Sequence, residues 1–334
     1  MVGVVKTSNR SKGAGQLMIA TIFIALAAGC ASALMFASII SGAPISLLLF
    51  YLEPLTLMVA ALGWGPLCAT IGGIAAATVL GAIFGLPYCI AFVVAIALPA
   101  WWLGHLVLLG RPLAAGTRPA NDAAALEWYP VGRVLLWIVI FATITIAAVL
   151  LTMGSDGPAI TGTMRSAWAQ LLESAGVTPT DRRLDALVTI APAAAAIFIV
   201  MTLTLNLWLA AKITATSGRL HRPWPDLRSA ALPPLTLGAL CAVIAFCFVG
   251  GLPAILAQII TAALILAYAL TGFAVLHTLT LGLKNRALWL SCTYVIVVMF
   301  SWPVLAMAVL GVADAILGIR QRYLQGRPPP LPAS

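Results

Sequence analysis

Stretches of about twenty residues almost free of charge recur along the whole chain. As an α-helix, a run of that length matches the roughly 30 Å hydrocarbon core of a bilayer. The apolar runs fall at 17–40, 45–62, 66–84, 87–109, 132–153, 186–211, 232–250, 254–281 and 288–318. They predict an all-α fold, a polytopic integral membrane helical bundle of about nine transmembrane helices, with eight or ten as the nearest alternatives. Composition points the same way: 62% of the 334 residues are hydrophobic, 8% are charged, and the mean hydropathy is +1.08. A soluble domain carries about 25% charged residues.

The predicted organisation is a basic cytoplasmic N-terminus over 1–16, one transmembrane helical domain over 17–318, and a Pro-rich C-terminal tail over 319–334. The apolar run that follows the basic start is too long for the core of a cleaved leader, so it is expected to stay attached as the first span. The first four spans are joined by Ser41-Gly42-Ala43-Pro44, Gly63-Trp64-Gly65-Pro66 and Gly85-Leu86-Pro87. Such short links force successive helices to pack as antiparallel neighbours.

The formal net charge is +9. Most basic residues stand between apolar runs, where orientation and anionic lipid headgroups account for them without nucleic acid. With the N-terminus inside the cell, the cytoplasmic side receives Lys6, Arg10, Lys12, Arg111, Arg118, Arg133, Lys212, Arg219, Arg222, Arg228, Lys284 and Arg286, twelve of the 18 basic residues. The outer side receives Arg165, Arg182 and Arg183. It also receives Arg320, Arg322 and Arg327 if 288–318 crosses once, against the charge rule. Pro303, in the middle of that run, allows two half-helices and an inside C-terminus instead. An outer loop spans 154–184, where Met164, Trp168, Leu171 and Ala175 recur at helical spacing and predict a short amphipathic helix. The cytoplasmic loop at 212–231 is basic and punctuated by Pro223 and Pro225; it suits headgroup anchoring or a protein partner.

Within the spans, small residues repeat every fourth position at Gly65, Ala69, Gly73, Ala77, Gly81 and Gly85. That strip is expected to let another helix backbone come close. Glu53 falls inside an apolar span beside Pro54. A charged group at a span centre costs about 2.5–3.5 kcal/mol on insertion scales. The cost falls if Glu53 carries a proton, faces a polar cavity or meets a donor from another helix. Glu53 is therefore either a proton or substrate site or a hydrogen-bonded structural group. Tyr51, Asn206, Gln258 and Asp314 complete the candidates, and Arg320 and Arg322 are near enough to Asp314 to share a polar boundary with it.

The nine acids and three histidines are scattered. No zinc-binding HExxH, GxSxG elbow or phosphate loop occurs. Cys30, Cys68, Cys89, Cys241, Cys247 and Cys292 form no CxxC pair and read as packing residues. Nothing in the sequence calls for a cofactor or metal, and no enzymatic signature appears. ATP-driven work would require a separate energising subunit.

The run LLLFYLEPLTLMVAALGWGPLCATIGG resembles an early segment of the DUF2232 family of bacterial membrane proteins. SGRLHRPWPDLR, FAVLHTLTLG and SWPVLAMAVLGVADAILGIRQR are similar to its alphaproteobacterial members. The likeness extends from about residue 17 to 323. The family distantly resembles YybS-type proteins and the substrate-binding membrane subunits of energy-coupling-factor transporters. The resemblance implies a multi-pass protein of the bacterial inner membrane and carries over no ligand residue. The functional expectation is a small-solute transport component, either a substrate-binding subunit or a proton-coupled carrier. The alternative is a non-enzymatic scaffold for envelope or division components.

Overall fold

The computed structural model describes residues 4–112, 126–178, 180–300 and 302–325; for residues 4–15 and 17 only the backbone is described. Lys6, Arg10, Lys12, Arg118, Arg327 and the end of the tail therefore lie outside the described side chains. Among the described residues the chain is all-α apart from one small ribbon, and seven helices are long and apolar enough to cross a membrane. An eighth span is reached if a bent pair near the C-terminus counts as one.

The helices cluster into two compact units where the sequence suggests one domain. The first unit holds residues 1–129 and 201–224. Its helices are α1 (Val4–Ala37), α2 (Pro44–Trp64), α3 (Pro66–Phe84), α4 (Leu86–Phe92) and α5 (Leu98–Leu108). A π-helical turn at Val93–Ala97 joins α4 to α5, making one membrane-length segment. Gly65 and Gly85, at φ 96° and 94°, reverse the chain between α2, α3 and α4. Positive φ is cheap only for glycine, and a proline in the first turn pre-sets the next helix. Strands β1 (Gly110–Pro112) and β2 (Leu126–Trp128) form an antiparallel ribbon that the apolar pattern does not foretell. Arg111 pairs with Glu127 across it at 2.8 Å.

Close packing in this unit centres on α1 and α3. A Cβ at Gly29 would collide with the carbonyl of Gly72, and one at Gly72 with the carbonyl of Ala25. Missing side chains thus bring two backbones into contact, which is how helices associate where apolar solvent provides no hydrophobic drive.

The second unit holds residues 130–200 and 225–334. It contains α6 (Val131–Met153), α7 (Gly157–Ser174), α9 (Leu235–Phe246), α10 (Gly251–Leu279), α11 (Arg286–Phe300), α12 (Pro303–Leu317) and α13 (Ile319–Gln325). Helix α8 (Asp181–Thr216) is 36 residues long and contributes its first part here and its last part to the first unit. The amphipathic helix expected in the outer loop is α7. Its Asp156 side chain caps the start by accepting from the Ala159 amide at 2.8 Å. Its buried face is Gly157, Ile160 and Met164, while Leu171 is exposed. Arg165 on α7 pairs with Asp181 and Asp185 of α8.

Two of the nine expected spans are corrected. The run at 232–250 yields only the 12-residue α9, because Pro233 and Pro234 precede it and Gly250 and Gly251, both at positive φ, follow. The run at 288–318 is broken into α11 and α12 at Pro303, each 15 residues and about 22 Å long at the α-helical rise, short of the bilayer core.

The chain reverses at that break. Tyr294 of α11 stacks on Phe273 of α10 with ring centres 5.4 Å apart. Gly311 of α12 meets the backbone of Gly272, the adjacent residue. In a continuous helix residues 294 and 311 would stand roughly 25 Å apart. The two half-helices therefore form a hairpin that re-enters along α10. Arg286, at its start, lies 3.4 Å from the carbonyl of His277, and its far end returns toward the same end of α10. Arg320 and Arg322 thus share a side with Lys284 and Arg286, as the half-helix alternative at Pro303 allows.

Candidate functional site

Glu53 lies in α2 with 5% of its surface exposed. Pro54 follows inside the helix, removing one amide and pressing on the carbonyl one turn earlier. Neighbouring helices secure the backbone here. Ser32 of α1 donates its hydroxyl to the Glu53 carbonyl at 2.8 Å, and Thr56 donates to the Ala28 carbonyl of α1 at 3.1 Å. From α8, the Asn206 amide donates to the Tyr51 carbonyl at 2.7 Å and to its own Thr202 carbonyl at 2.8 Å.

The main chain is thus well satisfied and the side chains are not. Glu53 Oε2 and Asn206 Oδ1 are both buried without a hydrogen-bond partner. Two orphan acceptors near one turn of a membrane helix are unusual, since a buried polar group left unmade costs about 1–3 kcal/mol. Each could accept from a proton, an ammonium or another donor. The ring of Tyr51 packs edge-on against Phe50, which in turn stacks on Phe36, so the turn is bounded by aromatic rings.

The structure brings Glu53, Tyr51 and Asn206 together and leaves the other two candidates elsewhere. Gln258 is half-buried in α10 of the second unit. Asp314, in the same unit, is an anchoring group. It accepts from the Arg320 amide and guanidinium at 2.8 Å, closing the C-terminus of α12 at Gly318. Arg320 Nη1 continues to the carbonyls of Arg228 and Ala230, at 2.6 and 2.9 Å.

The small-residue strip divides by role. Gly65 and Gly85 are the turns described above, and a Cβ on Gly65 would meet nothing within 4 Å. Ala69, Gly73 and Ala77 line an open, apolar cleft of about 270 Å³ with Val93, Ala97 and Trp101 of the π-turn segment. A Cβ on Gly81 would meet the Cys89 side chain at 3.1 Å. Glu53 does not line this cleft.

Among the described residues no three His, Cys, Asp or Glu side chains gather to hold a metal ion. The basic segment after α8 carries the features that sequence reasoning missed. Arg222 is buried, Arg219 stacks over Trp64 at 4.5 Å and Lys212 over Trp224 at 5.2 Å. The signal available was the Trp-Pro punctuation of HRPWPDLR, which pointed to headgroup anchoring or a protein partner without showing which cations are buried or stacked. Nearby, Arg228 holds the Asp226 carboxyl below the usual aspartate value through side-chain and backbone hydrogen bonds. Comparison with protein-family models, with curated proteins and with solved structures returned no match for this chain. Its own sequence and fold identify it as a multi-pass, largely hydrophobic helical membrane protein.

Proposed function

We propose that the chain is a small-solute transport component of the bacterial inner membrane, with Glu53 as the group that carries a proton or holds a cationic part of the solute. One observation carries the reading: a carboxyl oxygen is buried without a partner, inside a span and beside a helix-breaking proline. An intramembrane ionisable residue with no structural partner for its charge is a functional group by default. The substrate-binding form, powered by a separate ATPase, is the one that the resemblance of residues 47–73 to the DUF2232 family would imply. A cytoplasmic N-terminus accords with the distribution of basic residues. Enzymatic chemistry forms no part of the reading.

A scaffold role is the second reading, favoured by the open apolar cleft along α3, whose small lining residues Ala69, Gly73 and Ala77 leave room for an apolar side chain of a partner. Reconstitution decides between them. Proteoliposomes bearing the protein are to be tested with a panel of labelled metabolites under an imposed proton gradient, beside Glu53→Gln. Uptake of at least one solute, reduced about tenfold in the variant, is the expected result. Equal uptake by both proteins removes Glu53 from the mechanism. Gentle purification that recovers envelope-assembly partners and no ATPase, with no uptake of any solute, replaces transport with scaffolding.

A further inference from the structure

Just past the end of α8, in the first unit, stands a cation that no described carboxylate pairs with. Arg222 is only 8% exposed although it belongs to a connecting segment. Its Nη1 donates to the carbonyl of Val107, in the last turn of α5, at 3.2 Å. Its guanidinium lies 5.9 Å from the ring centre of Trp128. Among the described residues no carboxylate pairs with it, and neighbouring Glu127 is already held by Arg111. Burial draws the guanidinium below the usual arginine value. Arginine stays charged nonetheless, and a buried charge without its opposite is costly.

The surroundings repeat the pattern. Arg219 sits over Trp64 and Lys212 over Trp224, both cations exposed and neither in an ion pair with a described carboxylate. Their level in the membrane follows from the helices. Helices α2 and α5 run the same way, because α3 lies between them and each link reverses the chain. They touch at Ala61 and Gly104. Trp64 and Val107 therefore stand together at one end of two spans, Pro44–Trp64 and Leu86–Leu108. Tryptophan concentrates at this boundary between water and hydrocarbon. Apolar surface adjoins the cations, since Leu109 and Ile213 are exposed.

We propose that Arg222, with Arg219 and Lys212 at the same end of the first unit, binds the phosphate of an anionic phospholipid headgroup. The guanidinium fork supplies parallel N–H donors to phosphate oxygens, and the two outer cations neutralise the remaining charge. The exposed apolar residues beside them favour a lipid over free phosphate, because an acyl chain would cover them. The site stands independently of Glu53 and of the transport reading.

The test uses the purified full chain in a neutral detergent and follows tryptophan fluorescence. Titrants are dioctanoyl phosphatidylglycerol, dioctanoyl phosphatidylcholine and inorganic phosphate. Saturable binding of phosphatidylglycerol alone is expected, weakened about tenfold in Arg222→Gln and less in Arg222→Lys. Arg322→Gln, on exposed α13, should bind as the unaltered protein does. If Arg222→Gln does not fold, Lys212→Gln combined with Arg219→Gln supplies the loss, since both residues are exposed. Equal responses to the two lipids overturn the proposal, as does undiminished binding by a folded Arg222→Gln. Phosphate that binds as tightly as phosphatidylglycerol overturns the assignment to lipid.

Discussion

The side-chain amide of Asn206 donates to the main-chain carbonyl of Tyr51 across 155 positions of sequence, at 2.7 Å. It fastens α8 to the turn of α2 that Pro54 disturbs. Asn206→Ala should lower stability by about 1 kcal/mol, within the range measured for hydrogen bonds between membrane helices. Unfolding in mixed micelles by added denaturing detergent measures the change. A variant as stable as the parent would show that the orphan Oδ1 cancels the benefit of the bond.

The Asp314–Arg320 pair is more exacting. The two side chains are only 8% and 13% exposed, at 2.7 Å. Removing one partner, as in Arg320→Met, leaves an uncompensated carboxylate and should cost about 3–5 kcal/mol. Replacing both, with Asp314→Leu added, should recover much of that loss. Thermal unfolding of the two single variants and the double variant separates the pair's worth from the cost of breaking it.

Glycine substitutions should have opposite signs at two positions. Gly29→Ala drives a methyl into the Gly72 backbone and should destabilise by about 1–3 kcal/mol. Gly162, within α7, has nothing near its would-be Cβ, so Gly162→Ala should stabilise by about 0.4–1 kcal/mol through the unfolded chain. Melting temperatures of the two variants, taken side by side in one detergent, check both signs.

The hairpin of α11 and α12 predicts that the C-terminus shares a side with the 284–286 link. Gly157 at the start of α7 packs against Gly251 and Leu252 at the start of α10, so α10 ends on the side opposite α7 and a fluorescent protein fused after Ser334 should fold and glow in the cytoplasm. Alkaline phosphatase fused after Gly176 should be active outside it. An active phosphatase at the C-terminus would mean that 286–317 crosses the bilayer once.

Much of this was legible because lipid is a strict solvent. It demands apolar runs of a set length, and α2, α3 and α6 begin and end within two residues of the runs at 45–62, 66–84 and 132–153. The helical spacing of Met164, Trp168, Leu171 and Ala175 pointed to α7, although Leu171 and Ala175 are exposed and α7 ends at Ser174, and Glu53 stood out because its surroundings are apolar. Apolar runs do not name their neighbours, however. Nothing in the uniform stretch of α8 marks where it passes from one unit to the other, since the contacts that decide it lie far away in sequence. Pro303 signalled a break, but the reversal there follows from Tyr294 and Gly311 meeting adjacent residues of α10. Arg222 was hidden for a related reason: its burial depends on the end of α5, 115 positions earlier.

The discontinuous make-up of the first unit has a consequence for biosynthesis. While the ribosome is still translating α6 and α7, helices α1 to α5 are already available to insert and associate. The Tyr51 and Val107 carbonyls must then wait for Asn206 and Arg222 to emerge. A nascent chain arrested near residue 200 would hold an assembly lacking both fasteners. Quality-control proteases of the membrane would meet that assembly before its last piece arrives.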